Sequence, residues 1–167
     1  MNGQNASLNL AKALIKDVSR IEQGRVNVTD KKGNRSLYDE LITETQLRKK
    51  TEKLFNDGHY ARAVEEAYKL LDNIVKKRSG ISNGSVSGAP LMTTVFSAKK
   101  PILKLNAGIS QSENDEQQGY MQILAGCMTG IRNPRAHDSD WEDTEQRAIV
   151  LLAFANHLIE RVSLSKK

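Results

Sequence analysis

Ile131-Arg132-Asn133-Pro134-Arg135-Ala136-His137 is the stretch on which the reading of this chain turns. An apolar helical pattern runs into it, and a second pattern starts just beyond it. Pro134 has no amide hydrogen and disfavours helical geometry at the residue before it. The spacing therefore predicts a helix that ends at about Arg132. A short, stiffened turn follows, close enough for His137 to fold back over Arg132. That arrangement sets a planar fork suited to two phosphate oxygens beside a group that exchanges a proton near neutral pH.

Working outward, Tyr120, Ile123, Leu124, Cys127, Met128 and Ile131 recur at helical spacing and predict a helix over 116–132. Gly119, Gly126 and Gly130 lie within it, each costing about 1 kcal/mol relative to alanine, and small residues on one side of a helix suit close approach of another backbone. Beyond the stretch, Ser139 and Glu142 match a capping box. Ala148, Leu151, Leu152, Ala155, Leu158, Ile159 and Val162 give a last helix over 140–162. Upstream, Tyr60 to Val75 keep the 3.6-residue period over 59–78. A helix over 36–56, with Ser36 as N-cap, carries a stripe of Leu37, Leu41, Leu47, Leu54 and Phe55, and Asn56-Asp57-Gly58 ends it. The short break between these two makes them an antiparallel pair. Residues 79–115 form a long insertion, with a short helix from Pro90 to Phe96 and an alternating, extended stretch at 101–105. At the N-terminus, 1–6 read as disordered and 7–23 as an amphipathic helix. Residues 24–35 read as a polar loop in which Arg25 to Val28 are either a very short strand or irregular.

The fold class is thus all-α: four long helices, an extra N-terminal helix, and a large insertion between the third and fourth long helices. Two regions are expected, 1–35 and 36–167. The formal net charge of +5 points to an acidic partner such as nucleic acid. The basic residues are spread out as Arg48-Lys49-Lys50, Lys76-Lys77-Arg78, Lys99-Lys100 and Lys166-Lys167, and runs of that size commonly serve as solvated faces or helix C-terminal charges. One cysteine, Cys127, excludes an internal disulfide and fits a cytoplasmic location. No apolar run is long enough to span a bilayer, no secretory signal is visible, and no Cys/His cluster has metal-ligand spacing. No cofactor and no metal are expected.

Arg132 at the end of a bundle helix, then Asn133, then His137 with four residues between it and the arginine, resembles the HEPN superfamily. The wider pattern is similar to the Ymh-like family of uncharacterised proteins linked to mobile elements and abortive infection. It is carried by Tyr60-Ala61-Arg62-Ala63-Val64-Glu65-Glu66-Ala67, then Gly88, Leu91-Met92 and Phe96, then Gly119, Leu124, Gly126, Gly130 and the Arg132–His137 stretch. The resemblance spans roughly 55–160. It implies a four-helix bundle that pairs as a homodimer. It implies a metal-independent endoribonuclease of a toxin or antiphage defence system, with RNA as substrate and a larger defence or antitoxin protein as a further partner. It equally allows a non-catalytic, dimerising or nucleic-acid-binding module.

The chemistry suits the residue types. His137 fits a general base or acid. Arg132 fits charge stabilisation at a phosphorane. Asn133 fits orienting the histidine or bonding the phosphate. Arg135, at the rim, and Lys104 are candidate substrate-binding residues. One histidine per chain falls short of a two-proton mechanism, and a two-fold dimer supplies the second. The structural alternative is that Arg132 neutralises a helix end, Pro134 stops the helix and His137 is a turn residue. His59, at a helix start, reads as a surface or capping residue, His157 as a surface or core-edge residue, Cys127 as core, and Trp141 as a staple at the start of the last helix.

Overall fold

The computed structural model describes residues 37–81 and 86–167. The expected N-terminal helix, the polar loop, the boundary at 35/36, the Ser36 cap and residues 82–85 of the connection lie outside that range. The described residues belong to one compact unit. Among the described residues the chain is helical, with a single isolated antiparallel bridge, Lys104 to Lys166.

A helical turn at 37–41 precedes α1 (Thr45–Asn56). The expected continuous helix 36–56 is broken at 42–44. Asn156 explains the break: its buried side-chain oxygen accepts from the amides of Thr43 (3.0 Å) and Glu44 (2.8 Å), satisfying donors that helix would otherwise use. Glu44 then caps α1 by accepting from Leu47 N at 2.6 Å. The break also turns the face. Tyr38 and Ile42 are buried, while Leu37 and Leu41, expected in the core, are exposed.

α2 (Tyr60–Ser79) is the centre of the bundle and packs against α1 on one side and α6 (Glu145–Ser163) on the other. Gly80, at φ +81°, ends it in the left-handed conformation that glycine adopts without strain. α3 (Gly88–Val95) matches the short helix expected at 90–96 and packs on α4 (Gln111–Cys127). α4 starts five residues earlier than its apolar stripe suggests, because Ser110 and Glu113 form a reciprocal capping box.

The segment after α4 corrects the expected helix stop. Met128–Arg132 is one π-helical turn, closed by Asn133 N donating to Met128 O, and Asn133–His137 continues as α5. Asn133 is helical, at φ −61° and ψ −42°. The wide turn gives the Pro134 ring room where a continuous α-helix would press it into the preceding carbonyl. The chain then runs without helix through 138–144, and α6 begins at Glu145 under a Thr144 N-cap, not at 140 under Ser139.

The extended stretch around Lys104 is a strap held by buried Gln117. Gln117 Oε1 accepts from Leu105 N (2.9 Å), and its Nε2 donates to Phe96 O and Leu103 O (both 3.1 Å). None of the helical glycines touches another backbone within the chain: a Cβ added at Gly119, Gly126 or Gly130 meets nothing within 4 Å. The expected close approach is therefore absent from this protomer.

Candidate functional site

The π turn and α5 lie against α2, so the Arg132–His137 stretch sits where the start of α2 and the approach to α6 converge. Two sets of side chains leave this stretch in different directions. Arg135 goes inward. Its Nε and Nη2 donate to the two carboxylate oxygens of Asp143 at 2.6 and 2.7 Å, and its Nη1 donates to Ile131 O at 2.6 Å. Both side chains are almost wholly buried, at 1% and 0% exposure. The Trp141 ring lies over the Arg135 guanidinium, and Arg147 approaches the same ring and the same carboxylate. Arg135, expected at the rim as a phosphate ligand, is thus an internal clamp holding 138–144 onto α5. Trp141, expected as a helix staple, is part of that clamp, and its indole Nε1 is buried without a hydrogen-bond partner.

Arg132, Asn133 and His137 form the second set. Asn133 and His137 are four apart in one helical run and share a face. Arg132 Nη1 approaches Asn133 Oδ1 at 3.4 Å, and its Nε is buried with no partner. His137 is exposed, and among the described residues it makes no side-chain hydrogen bond. No bond joins Arg132 to His137. Five residues of helix set their side chains about 140° apart, so His137 does not fold back over Arg132 within one chain.

Charge sharpens the contrast. Beside this stretch, buried Glu65 holds Arg62 (2.6 Å) and Lys69 (2.7 Å), and Glu66 takes a second contact from each. Burial alone would raise the Glu65 carboxyl. The Lys69 and Arg62 ion pairs outweigh it and hold the group below the ordinary carboxylate value. Arg62, Lys69, Arg135 and Arg147 therefore each have a carboxylate partner, the last two sharing Asp143, whereas no carboxylate among the described residues pairs with Arg132. A cleft of about 520 Å³ opens between the start of α2 and the 138–143 segment, lined by His59, Arg62, Glu65, Asp138 and Trp141 among others. Neither Arg132 nor His137 lines it.

The geometry explains what sequence reasoning missed. Glu65 has basic partners three residues before it and four after, a spacing readable on a helix. Asp143 carries no such mark, because its partner is reached across a non-helical loop. Lys104 belongs to the opposite end of the bundle. Its backbone pairs with Lys166, beyond the C-terminus of α6, whereas Arg132 lies near the start of α6. Among the described residues no group of three His, Cys, Asp or Glu side chains is arranged to hold a metal, and no helix is long and apolar enough to cross a membrane.

A family model described as "Protein of unknown function (Hypoth_ymh)" matches residues 42–162. The chain belongs to the Hypoth_ymh family. The matched span takes in α1 through α6, and hence both the buried clamp and the Arg132–Asn133–His137 face, so in this Hypoth_ymh chain the whole candidate site lies inside the family region. No curated protein and no solved structure matches the chain.

Proposed function

We propose that this Hypoth_ymh protein is a metal-independent endoribonuclease built on a HEPN-like four-helix bundle, working as a homodimer in a toxin or antiphage defence setting. The observation that carries the reading is a charge left over. Beside paired Arg62, Lys69, Arg135 and Arg147, Arg132 has no carboxylate, and one turn past its neighbour Asn133 stands an exposed imidazole with no side-chain partner.

In this reading neutral His137 of one protomer takes the ribose 2′-hydroxyl proton. The 2′-oxygen attacks the adjacent phosphorus, and Arg132 neutralises the phosphorane. A protonated His137 from the second protomer gives its proton to the departing 5′-oxygen. The products are a 2′,3′-cyclic phosphate and a 5′-hydroxyl. Separation of Arg132 and His137 around one helix supports a site shared between two copies. So does the outward face of α4. From Gln117 to Ile131 there is no charged residue, Ile123 is 41% exposed, and Gly126 and Gly130 leave open space above the backbone. An identical copy meets such a face without like-charge repulsion.

The alternative is a dimerising or nucleic-acid-binding module without cleavage. It is favoured by the absence of Arg132 and His137 from the adjoining cleft. The deciding experiment is cleavage of total RNA in EDTA by wild type, Arg132→Ala and His137→Ala, with product ends tested for cyclic phosphate. Cutting by wild type alone, with both variants folded and dimeric, supports the nuclease. Intact RNA in all three reactions refutes it and leaves the module.

A further inference from the structure

The bundle end opposite Arg132 gathers cations that nothing in the described residues neutralises. Lys104 and Lys166 exchange both backbone hydrogen bonds (2.7 and 2.8 Å) in an antiparallel bridge. That pairing puts the two Cα atoms about 5.5 Å apart with side chains on one face, where like charges repel. Both lysines are exposed, and neither pairs with a carboxylate among the described residues. Beneath them Arg78 donates to Ser165 O at 2.5 Å, so its guanidinium faces a carbonyl and leaves its charge uncancelled. Lys77 is exposed beside Arg78, and the Lys167 ammonium lies over the Gly80 end of α2. At the Arg132 end, by contrast, four of the five cations each contact a carboxylate.

We propose that the Lys104–Lys166 pair, backed by Arg78, is a docking surface for the phosphate backbone of nucleic acid, separate from the Arg132 site and independent of whether that site cuts. Two ammonium groups held on one face are repelled in the free protein and relieved by a bridging phosphate. The partner contact is to backbone, because none of these side chains is aromatic and none offers a stacking platform for bases. A bilayer is disfavoured. The lysines come from a strap, a chain end and a helix terminus, not from one amphipathic helix. α6 separates this surface from the Arg132 end by about 28 Å, the length of its nineteen residues.

The test is fluorescence anisotropy in EDTA with two labelled single strands of one sequence, DNA and 2′-O-methyl RNA, neither of which has a free 2′-hydroxyl to be cut. For Lys104→Glu/Lys166→Glu we expect about tenfold weaker binding and a salt slope smaller by about 1.4, the value for two lost phosphate contacts on a single strand. Lys104→Gln/Lys166→Gln loses less but in the same direction, which guards against a folding effect of the introduced carboxylates. Lys49→Glu/Lys50→Glu, on exposed positions of α1, makes the same charge change and leaves affinity within about threefold. Near-equal affinity for the two strands supports backbone recognition. The proposal is overturned if wild type binds neither strand at low salt, or if the α1 double variant loses as much. It is also overturned if the Lys104/Lys166 variants keep nucleic-acid binding and lose only binding to vesicles of anionic lipid.

Discussion

Asp143→Ala tests whether the buried clamp holds the Arg132–His137 stretch in place. The substitution removes both carboxylate oxygens that Arg135 Nε and Nη2 contact at 2.6 and 2.7 Å, and leaves the guanidinium with Ile131 O and the Trp141 ring. Because the Arg135 side chain is 1% exposed, water does not replace what is lost. Removing one partner of a buried pair costs about 3–5 kcal/mol, a large part of the roughly 5–15 kcal/mol that holds a domain of this size. Urea unfolding followed by far-ultraviolet circular dichroism measures the total. Emission of Trp141, the sole tryptophan, reports the clamp itself. The matched variant is Arg135→Met/Asp143→Leu, which replaces both charges by apolar groups. It should recover most of the loss, since an apolar pair of similar volume avoids the desolvation cost. A loss below about 1 kcal/mol for Asp143→Ala would refute the reasoning, as would a double variant no better than the single one.

Two further outcomes follow from the same structure. Gln117→Leu keeps the volume but strands Leu105 N and two carbonyls that the amide now satisfies. We expect a loss of about 2–4 kcal/mol by chemical denaturation, together with fast amide exchange at Leu105. Glu65 sits below its ordinary value: burial pushes it up, and the Lys69 and Arg62 ion pairs more than offset that. A depressed carboxylate adds stability that is fully present above the unfolded value and is lost as pH falls through the folded one. The melting-temperature advantage of wild type over Glu65→Gln is therefore full at neutral pH and shrinks below the unfolded value of about 4.5. An advantage that is unchanged into strong acid contradicts the assignment.

Where local pattern and tertiary packing agree, the sequence was a sufficient guide. α2 shows this, with an unbroken apolar period and Gly80 at its end. The cap of α4 was also legible, since Ser110 and Glu113 stand three apart, but a polar first turn hides a helix from any search for apolar residues. The other differences come from contacts across the fold. Asn156, more than a hundred residues away, breaks the helix at 42–44. Asp143 holds 138–144 against Arg135, so the capping-box pattern of Ser139 and Glu142 is overruled by a buried ion pair. Pro134 obeys its own local rule in forbidding an ordinary α turn, yet the chain answers with a wider turn in place of a stop. Within the site the residue types of Arg132, Asn133 and His137 could be read directly. Their directions could not, because a side chain's bearing depends on whether the helix continues and on where it takes up one extra residue.

That extra residue has a consequence for how the chain tolerates change of length. Met128–Arg132 accommodates one more residue than an α-helix would fit between Cys127 and Asn133. Deleting a residue here would restore ordinary α winding through nearly the same rotation, but it would press the Pro134 ring into the carbonyl one turn back. A one-residue change in the ordinarily wound α4 would instead swing everything beyond it by about 100°, and Arg135 would leave Asp143 although no functional side chain had been altered. In length variation across relatives, this turn should stand out as a place of fixed spacing inside a helix, while the insertion ahead of α4 is free to vary.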